Sequence, residues 1–332
     1  MAFVPVWGSG FEMGAVPAPV GYYTGFGVGT AKYTGVYGLV LGATASHSFR
    51  MDGVVGGASE MYCSFYFSRG NATEGTPVAW RWLLDSGHYV EIRFTSSYWD
   101  AYVDGVKVAD HSLSGFTGWH HVEFRAVIDN ASGILQTKIN GVPDIDYTGD
   151  TQPDATNLIT RAYLQYWHQV HPLYARTTYY DDMVMGTGGW PGDFRFVGLV
   201  PNGDSSVQWT GSDGNQVDNY ALVDERPPGT ADYVLATASD LKDKYTIGDF
   251  DAADKIISCV VNWARHLRTG SYVHQVKLVL DDGTEDVSDA YDSDVSAGYA
   301  GKMYAARPSG GAWTDAAIDG LIAGVMSVIA TE

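Results

Sequence analysis

Apolar and polar positions alternate with a period of two over much of the first half of the chain. Val122, Phe124, Ala126 and Ile128 fall on one face of a run whose other face holds Glu123, Arg125 and Asp129. A half-buried β-strand produces that spacing. Asn130 to Gly133 supplies a polar, glycine-containing loop, Ile134 to Asn140 a return strand, and Asn140 with Gly141 a tight turn. The same alternation predicts strands over residues 60–68, 78–84, 89–95, 99–103, 161–167 and 179–185, and a shorter one within 35–41. Many short strands, without the helical period that crossover helices would need, predict a sandwich or jelly roll.

A glycine-dense stretch, Gly186 to Gly192, interrupts this pattern. Beyond it lies a loop-rich segment containing Trp209 and the Pro227-Pro228 pair, after which strands are predicted at 243–247, 256–265, 273–280 and 301–305. One helical turn is expected within 313–320, and a closing strand over 321–330. The fold expected is therefore all-β, with two β-sandwich domains: a jelly roll over 1–187 and a second, smaller one over 188–332. A length of 332 residues fits two domains.

Composition narrows the function. Forty glycines and 13% aromatic residues suit a turn-rich β protein. Twenty basic against 39 acidic residues give a formal charge of −19. Such a surface repels phosphate backbones and anionic lipid, so neither nucleic acid nor membrane is expected as a partner. Met1 to Gly10 shows no basic or apolar leader pattern, which leads us to expect synthesis in a cytoplasm and release by assembly or lysis. Cys63 and Cys259 each share a strand face with apolar residues and read as buried thiols rather than a disulfide or a metal pair.

Candidate chemistry is sparse. Glycoside hydrolysis needs two carboxyl groups facing one cleft. Glu91 and Glu123 stand alone on their strands, and Asp181 and Asp182 are adjacent, so alternation sends them to opposite faces. His120-His121 and His168 with His171 lack the further ligands of a zinc site and read as hydrogen-bonded histidines. The acidic run from Asp281 to Asp286 lacks a calcium-loop spacing and reads as a solvated hairpin turn. Trp80 and Trp82 lie within a strand. Trp99 and Trp167, near strand ends, are the better candidates to lie exposed and stack on sugar rings. The residues thus assign no catalytic group and no cofactor.

A family resemblance adds to this. Residues 119–129, 133–142 and 179–185, which read WHHVEFRAVID, GILQTKINGV and YYDDMVM, resemble the second half of a laminin-G-like, concanavalin-A-type jelly roll. The likeness covers about residues 1–187. Residues 194–247 resemble a module that follows such domains in virion proteins of tailed bacteriophages, which also open with a stretch like Gly8 to Gly14. The resemblance implies a non-enzymatic virion structural protein made in the host cytoplasm, most readily an exterior capsid decoration or accessory protein. A carbohydrate-binding, lectin-like tail or receptor-binding protein is the alternative. Implied partners are other capsid or tail proteins, further copies of the chain as a homo-oligomer, and a bacterial surface glycan. The loops around Trp190 and Trp209 would be docking surfaces. Some laminin-G-like relatives hold a structural calcium, whose ligands match no residues here.

Overall fold

The structure is a computed structural model that describes residues 3–10, 22–24, 26–29, 32–33, 38–41, 47–52, 57–68, 78–95, 98–112, 118–155, 157–166, 178–251, 255–269, 274–294 and 297–329. It divides into two compact units, Met1–Val197 and Gly198–Glu332.

Among the described residues the first unit has fifteen strands: β1 (Val4–Ser9), β2 (Tyr22–Thr24), β3 (Phe26–Gly29), β4 (Gly38–Leu41), β5 (His47–Asp52), β6 (Glu60–Ser68), β7 (Val78–Leu84), β8 (Tyr89–Thr95), β9 (Tyr98–Val103), β10 (Val106–Ala109), β11 (Trp119–Val127), β12 (Gly133–Ile139), β13 (Val142–Gly149), β14 (Ile159–Tyr166) and β15 (Thr178–Thr187). They form two antiparallel sheets. Sheet A runs β13-β12-β11-β6-β15-β4-β3, with β1 also on β15; sheet B runs β10-β9-β8-β7-β14-β5-β2.

The period-two pattern decides what lies between the sheets. Met61, Cys63, Phe65 and Phe67 of β6 and Val122, Phe124 and Ala126 of β11 turn inward from sheet A. Trp80, Trp82, Val90, Ile92, Trp99 and Ala101 turn inward from sheet B. All belong to one continuous apolar core. Phe65 stacks on Trp80 with centroids 5.3 Å apart, and Trp99 meets Phe65 and Phe67 edge-on at 6.0 and 5.3 Å. Pairs of this kind contribute about 0.5–1.5 kcal/mol beyond the area they bury. The turn read at Asn140-Gly141 joins β12 to β13 with both residues at positive φ (52° and 79°), the conformation that this pair tolerates.

The second unit contains β16 (Pro201–Ser206), β17 (Thr210–Gly211), β18 (Val234–Leu235), β19 (Lys242–Ile247), β20 (Val260–His266), β21 (His274–Asp281), β22 (Glu285–Val287), β23 (Tyr291–Ser293), β24 (Gly298–Tyr304) and β25 (Ile322–Ile329), with a short helix α1 (Asp315–Asp319) before the last strand. Thr314 caps α1, its side chain accepting from the Ala317 N–H. A sheet of order β16-β19-β25-β21-β22, with β23 also on β21, packs with a β20–β24 ribbon through Val276, Leu278 and Ala300. Gly301 is required there, because a Cβ would stand 1.8 Å from the Trp263 ring.

Cys63 and Cys259 are both free thiols. Burial pushes the Cys259 thiol up to about 12, which keeps it protonated and unreactive at neutral pH.

The structure departs from the sequence reading in three places. Trp99 is 1% exposed and lies in the core, so its ring presents no platform to solvent. Being near a strand end did not expose it, because β9 continues one residue earlier and Trp99 is an inward position of the pleat. Trp167, with His168 and His171, lies outside the described residues. Asp181 and Asp182 do not diverge. A β-bulge breaks the β15–β6 register between Asp181 and Val184, with Asp182 at φ 46°. Both carboxylates then bond into the same outer layer, Asp181 accepting from the Tyr33 N–H (2.8 Å) and Asp182 from the Phe196 N–H (2.8 Å). Finally, the acidic run forms the β21–β22 hairpin turn but is paired rather than solvated. Asp282 accepts from Arg307 Nε (2.7 Å) and Ser309 Oγ (2.6 Å), and Lys244 donates to Asp281 and Glu285 (3.2 Å each).

Candidate functional site

The outward faces of the two sheets differ in what covers them. Over sheet A runs the glycine-dense segment itself. Trp190 packs edge-on against Tyr62 (5.5 Å) and lies under the Lys138 ammonium (4.0 Å). The Gly192 N–H donates to Glu123 (2.9 Å), and its carbonyl accepts from Ser64 Oγ (3.3 Å). Arg195 lies over the rings of Tyr66 (3.8 Å) and Tyr33 (4.6 Å) and pairs with Asp193. These contacts place residues 188–197 in the first unit, and Trp190 is spent on an internal contact. Burial, with the Asp193 carboxylate beside it, holds the Tyr66 phenol well above its usual range.

Beneath that strap, Ser64 Oγ lies 2.6 Å from His121 Nε2. A serine–histidine contact can mark a nucleophile and its base. Here Ser64 is 0% and His121 7% exposed, and the strap occupies the space a substrate would need. The pair fastens the strap to the sheet. His120, its neighbour on β11, bonds Asn140 instead, at 3.1 Å.

Burial lowers the His121 pKa, the nearby Glu123 and Asp193 opposing it only in part. The folded state therefore favours the neutral ring. The stability this contributes is complete above the unfolded value of about 6.5 and is lost as pH falls through it toward the folded value. Urea unfolding of the wild type is expected to weaken between about pH 7.5 and 5.5. His121→Gln should flatten that slope for the first unit. An unchanged slope in the variant would refute the assignment.

Among the described residues, sheet B presents a polar outward face built from the positions that alternate with the core side chains of β7, β8 and β9. Strand register sets Tyr163, Arg81, Glu91, Tyr102 and Lys107 side by side across β14, β7, β8, β9 and β10. At the centre, Glu91 is 0% exposed. Arg81 Nε donates to its Oε2 at 2.9 Å, and Arg93 binds its Oε1. The guanidinium of Arg81 lies over the Tyr89 ring (3.5 Å to the centroid) and that of Arg93 over Tyr102 (3.9 Å). Each arginine is thus held by a carboxylate at one side and a ring beneath, an arrangement that fixes a planar donor fork in place. Two guanidinium groups on one carboxylate leave an excess of one positive charge.

Arg93 stands directly across from Asp100 of β9, a buried carboxylate. Asp100 accepts from Lys107 (3.0 Å) and lies 3.1 Å from His111 Nδ1. The His111 ring stacks on Tyr98 with centroids 3.8 Å apart and planes within 8°. Lys107 also pairs with Asp110. Its ammonium, bridging the two carboxylates, fills the place a metal ion would take between them. Those two contacts hold Lys107 well above its usual range.

Sequence reasoning passed over this site. Arg81 lies on β7 and Glu91 and Arg93 on β8, and only the β7–β8 pairing brings the three together. The one signal available was that these polar positions alternate with core residues, Trp80 and Trp82 around Arg81 and Val90, Ile92 and Phe94 around Glu91 and Arg93, and so share the opposite face.

The first unit has the fold of a concanavalin-A-type jelly roll. No protein family and no curated protein matches the sequence. Similar solved structures include an endo-β-1,4-glucuronan lyase from the fungus Trichoderma reesei (12% identity, TM-score 0.42), covering 52% of this chain and 92% of that one. An alginate lyase (13%, TM-score 0.42) covers 55% and 98%. A carbohydrate esterase from the Shiga toxin-encoding bacteriophage phi24B (14%, TM-score 0.40) covers 57% and 100%. This finding corrects the expectation of a non-enzymatic bacteriophage virion structural protein, with its lectin-like alternative: the solved structures of similar fold include lyases, glycoside hydrolases and an esterase. At these identities the likeness is one of fold, and any activity of this chain has to be argued from its own residues.

Proposed function

We propose that the first unit is a carbohydrate-processing enzyme that takes an acidic polysaccharide across the outward face of sheet B. The observation that carries this reading is the Arg81–Glu91–Arg93 cluster with its two tyrosines. Guanidinium groups recognise a sugar carboxylate through paired N–H donors, and the rings beneath hold those donors in place. The chain's overall charge of −19 works against an anionic ligand at long range. Screening confines that repulsion to about 8–10 Å at physiological salt, so the charges at the contact decide.

The reaction class that suits this face is removal of a proton next to a carboxylate. The arginines then meet the charge that develops on the carboxylate in the transition state. Hydrolysis would need two available carboxyl groups. Both oxygens of Glu91 are already engaged by arginines, and Asp100 is held by Lys107 and His111.

The purified chain should be incubated with glucuronan, alginate and polygalacturonate, and with a neutral glucan. Unsaturated ends, read by ultraviolet absorbance, are expected from at least one acidic polymer and not from the glucan. Arg81→Ala and Arg93→Ala are each expected to lower turnover about 10²–10³-fold, the usual effect of losing one donor to transition-state charge. Turnover of the neutral glucan alone, or of no polymer, would refute the proposal.

A further inference from the structure

We propose that His111, oriented by Asp100, is the group that removes the proton from the sugar. This inference rests on the reading above and gives it a base.

Four contacts fix the imidazole. Asp100 Oδ1 lies 3.1 Å from Nδ1 and also accepts from the His111 backbone N–H at 3.3 Å. The ring stacks on Tyr98. The next residue, Ser112, ties the loop to β13 by donating its N–H to Asp144 Oδ1 (2.8 Å) and its hydroxyl to the Asp144 carbonyl (2.8 Å). A carboxylate at Nδ1 selects the tautomer with its proton there, which leaves the Nε2 lone pair to accept another. Nε2 has no hydrogen-bond partner among the described residues. The side chain is 26% exposed, so it is held but reachable.

Position agrees with orientation. Asp100 lies opposite Arg93 in the β8–β9 register, so the imidazole and the arginine cluster belong to neighbouring places on one face. In the step assigned to it, Nε2 takes the proton from the carbon bearing the carboxylate. The electron pair of that C–H bond becomes the new C=C bond as the β C–O glycosidic bond breaks. The leaving oxygen takes a proton from the imidazolium or from water, so nothing is oxidised or reduced.

A second histidine pair supplies a control. His88 Nδ1 lies 2.8 Å from Asp104 Oδ2, but both side chains are 39% exposed, and the pair sits at the turns that end β7 and β9. Its ring is held by that one side-chain contact at the surface, and no role is assigned to it.

The test uses the full chain and whichever acidic polymer the wild type cleaves. His111→Ala is expected to lower kcat about 10²–10⁴-fold, the range for a general base, with KM within about twofold. Added imidazole is expected to restore turnover at least about tenfold and saturably, because a free base can enter the space left by the side chain. Asp100→Asn, which keeps the shape but removes the charge that orients Nδ1, should lower kcat with KM within about twofold. His88→Ala should leave turnover unchanged. Full activity of folded His111→Ala, or a loss that imidazole does not relieve, overturns the inference while the arginine variants still test the reading beneath it. A wild type that cleaves no acidic polymer overturns both.

Discussion

Glu91→Ala is expected to destabilise the first unit by about 3–5 kcal/mol, the cost of removing one member of a buried ion pair. Glu91 is wholly buried, and its loss leaves the Arg81 and Arg93 guanidinium groups facing one another without the anion between them. The lower half of that range is favoured, because the arginine side chains are 13% and 23% exposed and can turn partly into water. Trp80, Trp82 and Trp99 lie in the core beneath, so their share of the tryptophan fluorescence changes when this unit unfolds in urea, alongside that of Trp209, Trp263 and Trp313 in the second unit. Turnover should fall with stability, since Glu91 holds both donor forks on the substrate face. Glu91→Gln separates the effects: it keeps the volume and one acceptor oxygen, removes the negative charge from between both guanidinium groups, and should lie between wild type and alanine. A change below about 1 kcal/mol for Glu91→Ala would mean that the cluster is an ordinary surface pair.

Asp243→Ala is expected to abolish cooperative unfolding of the second unit while the first melts as before. Asp243 is 0% exposed and accepts four hydrogen bonds: from the backbone N–H of Gln208 (2.6 Å) and Trp209 (2.8 Å), from Asn219 Nδ2 (2.7 Å), and from the Tyr245 hydroxyl (2.9 Å). Burial and the neighbouring carboxylate together push the Tyr245 phenol far above its usual range, so it remains a donor. Removing the acceptor strands four donors. An unsatisfied buried donor costs about 1–3 kcal/mol, and even with partial relaxation the sum approaches the whole stability of a small domain. The apolar clusters of this unit are smaller than the core of the first, which leaves less to offset the loss. Calorimetry of the full chain should show one transition retained and one lost. Two unaltered transitions would show that the loop from Gln208 to Asn219 does not depend on this carboxylate.

The strand ladder of the first half was legible because alternation is a local property. Strands at 60–68, 78–84 and 89–95 fall where the pattern put them, since each presents one face to a shared core and a shift of one residue would reverse every side chain. The strands at the sheet edges were missed, because there the alternation is short or half-exposed on both faces. β13 follows the Asn140-Gly141 turn as an edge strand with proline and three acidic or hydroxyl-bearing outward positions, and β10 is four residues long at the opposite edge. In the second unit the helical turn before the last strand was also readable, because Thr314 caps it and Gly320 ends it.

By itself, the sequence determined the all-β class, most of the strands, the tight turns and the apolar faces, because each depends on residues within a few positions of one another. Only the tertiary structure decided which side of which strand meets solvent next to which partner. Trp99 turned inward because β9 begins one residue earlier than its pattern suggested. Asp181 and Asp182 came to the same layer through a bulge that leaves no mark in composition. Arg81, Glu91, Arg93, Asp100 and His111 span thirty-one positions of sequence and become neighbours only through the register of β7, β8 and β9. Cross-strand pairing is a long-range choice, fixed by how two sheets close over one core, and the chemistry proposed here exists only once that choice is made.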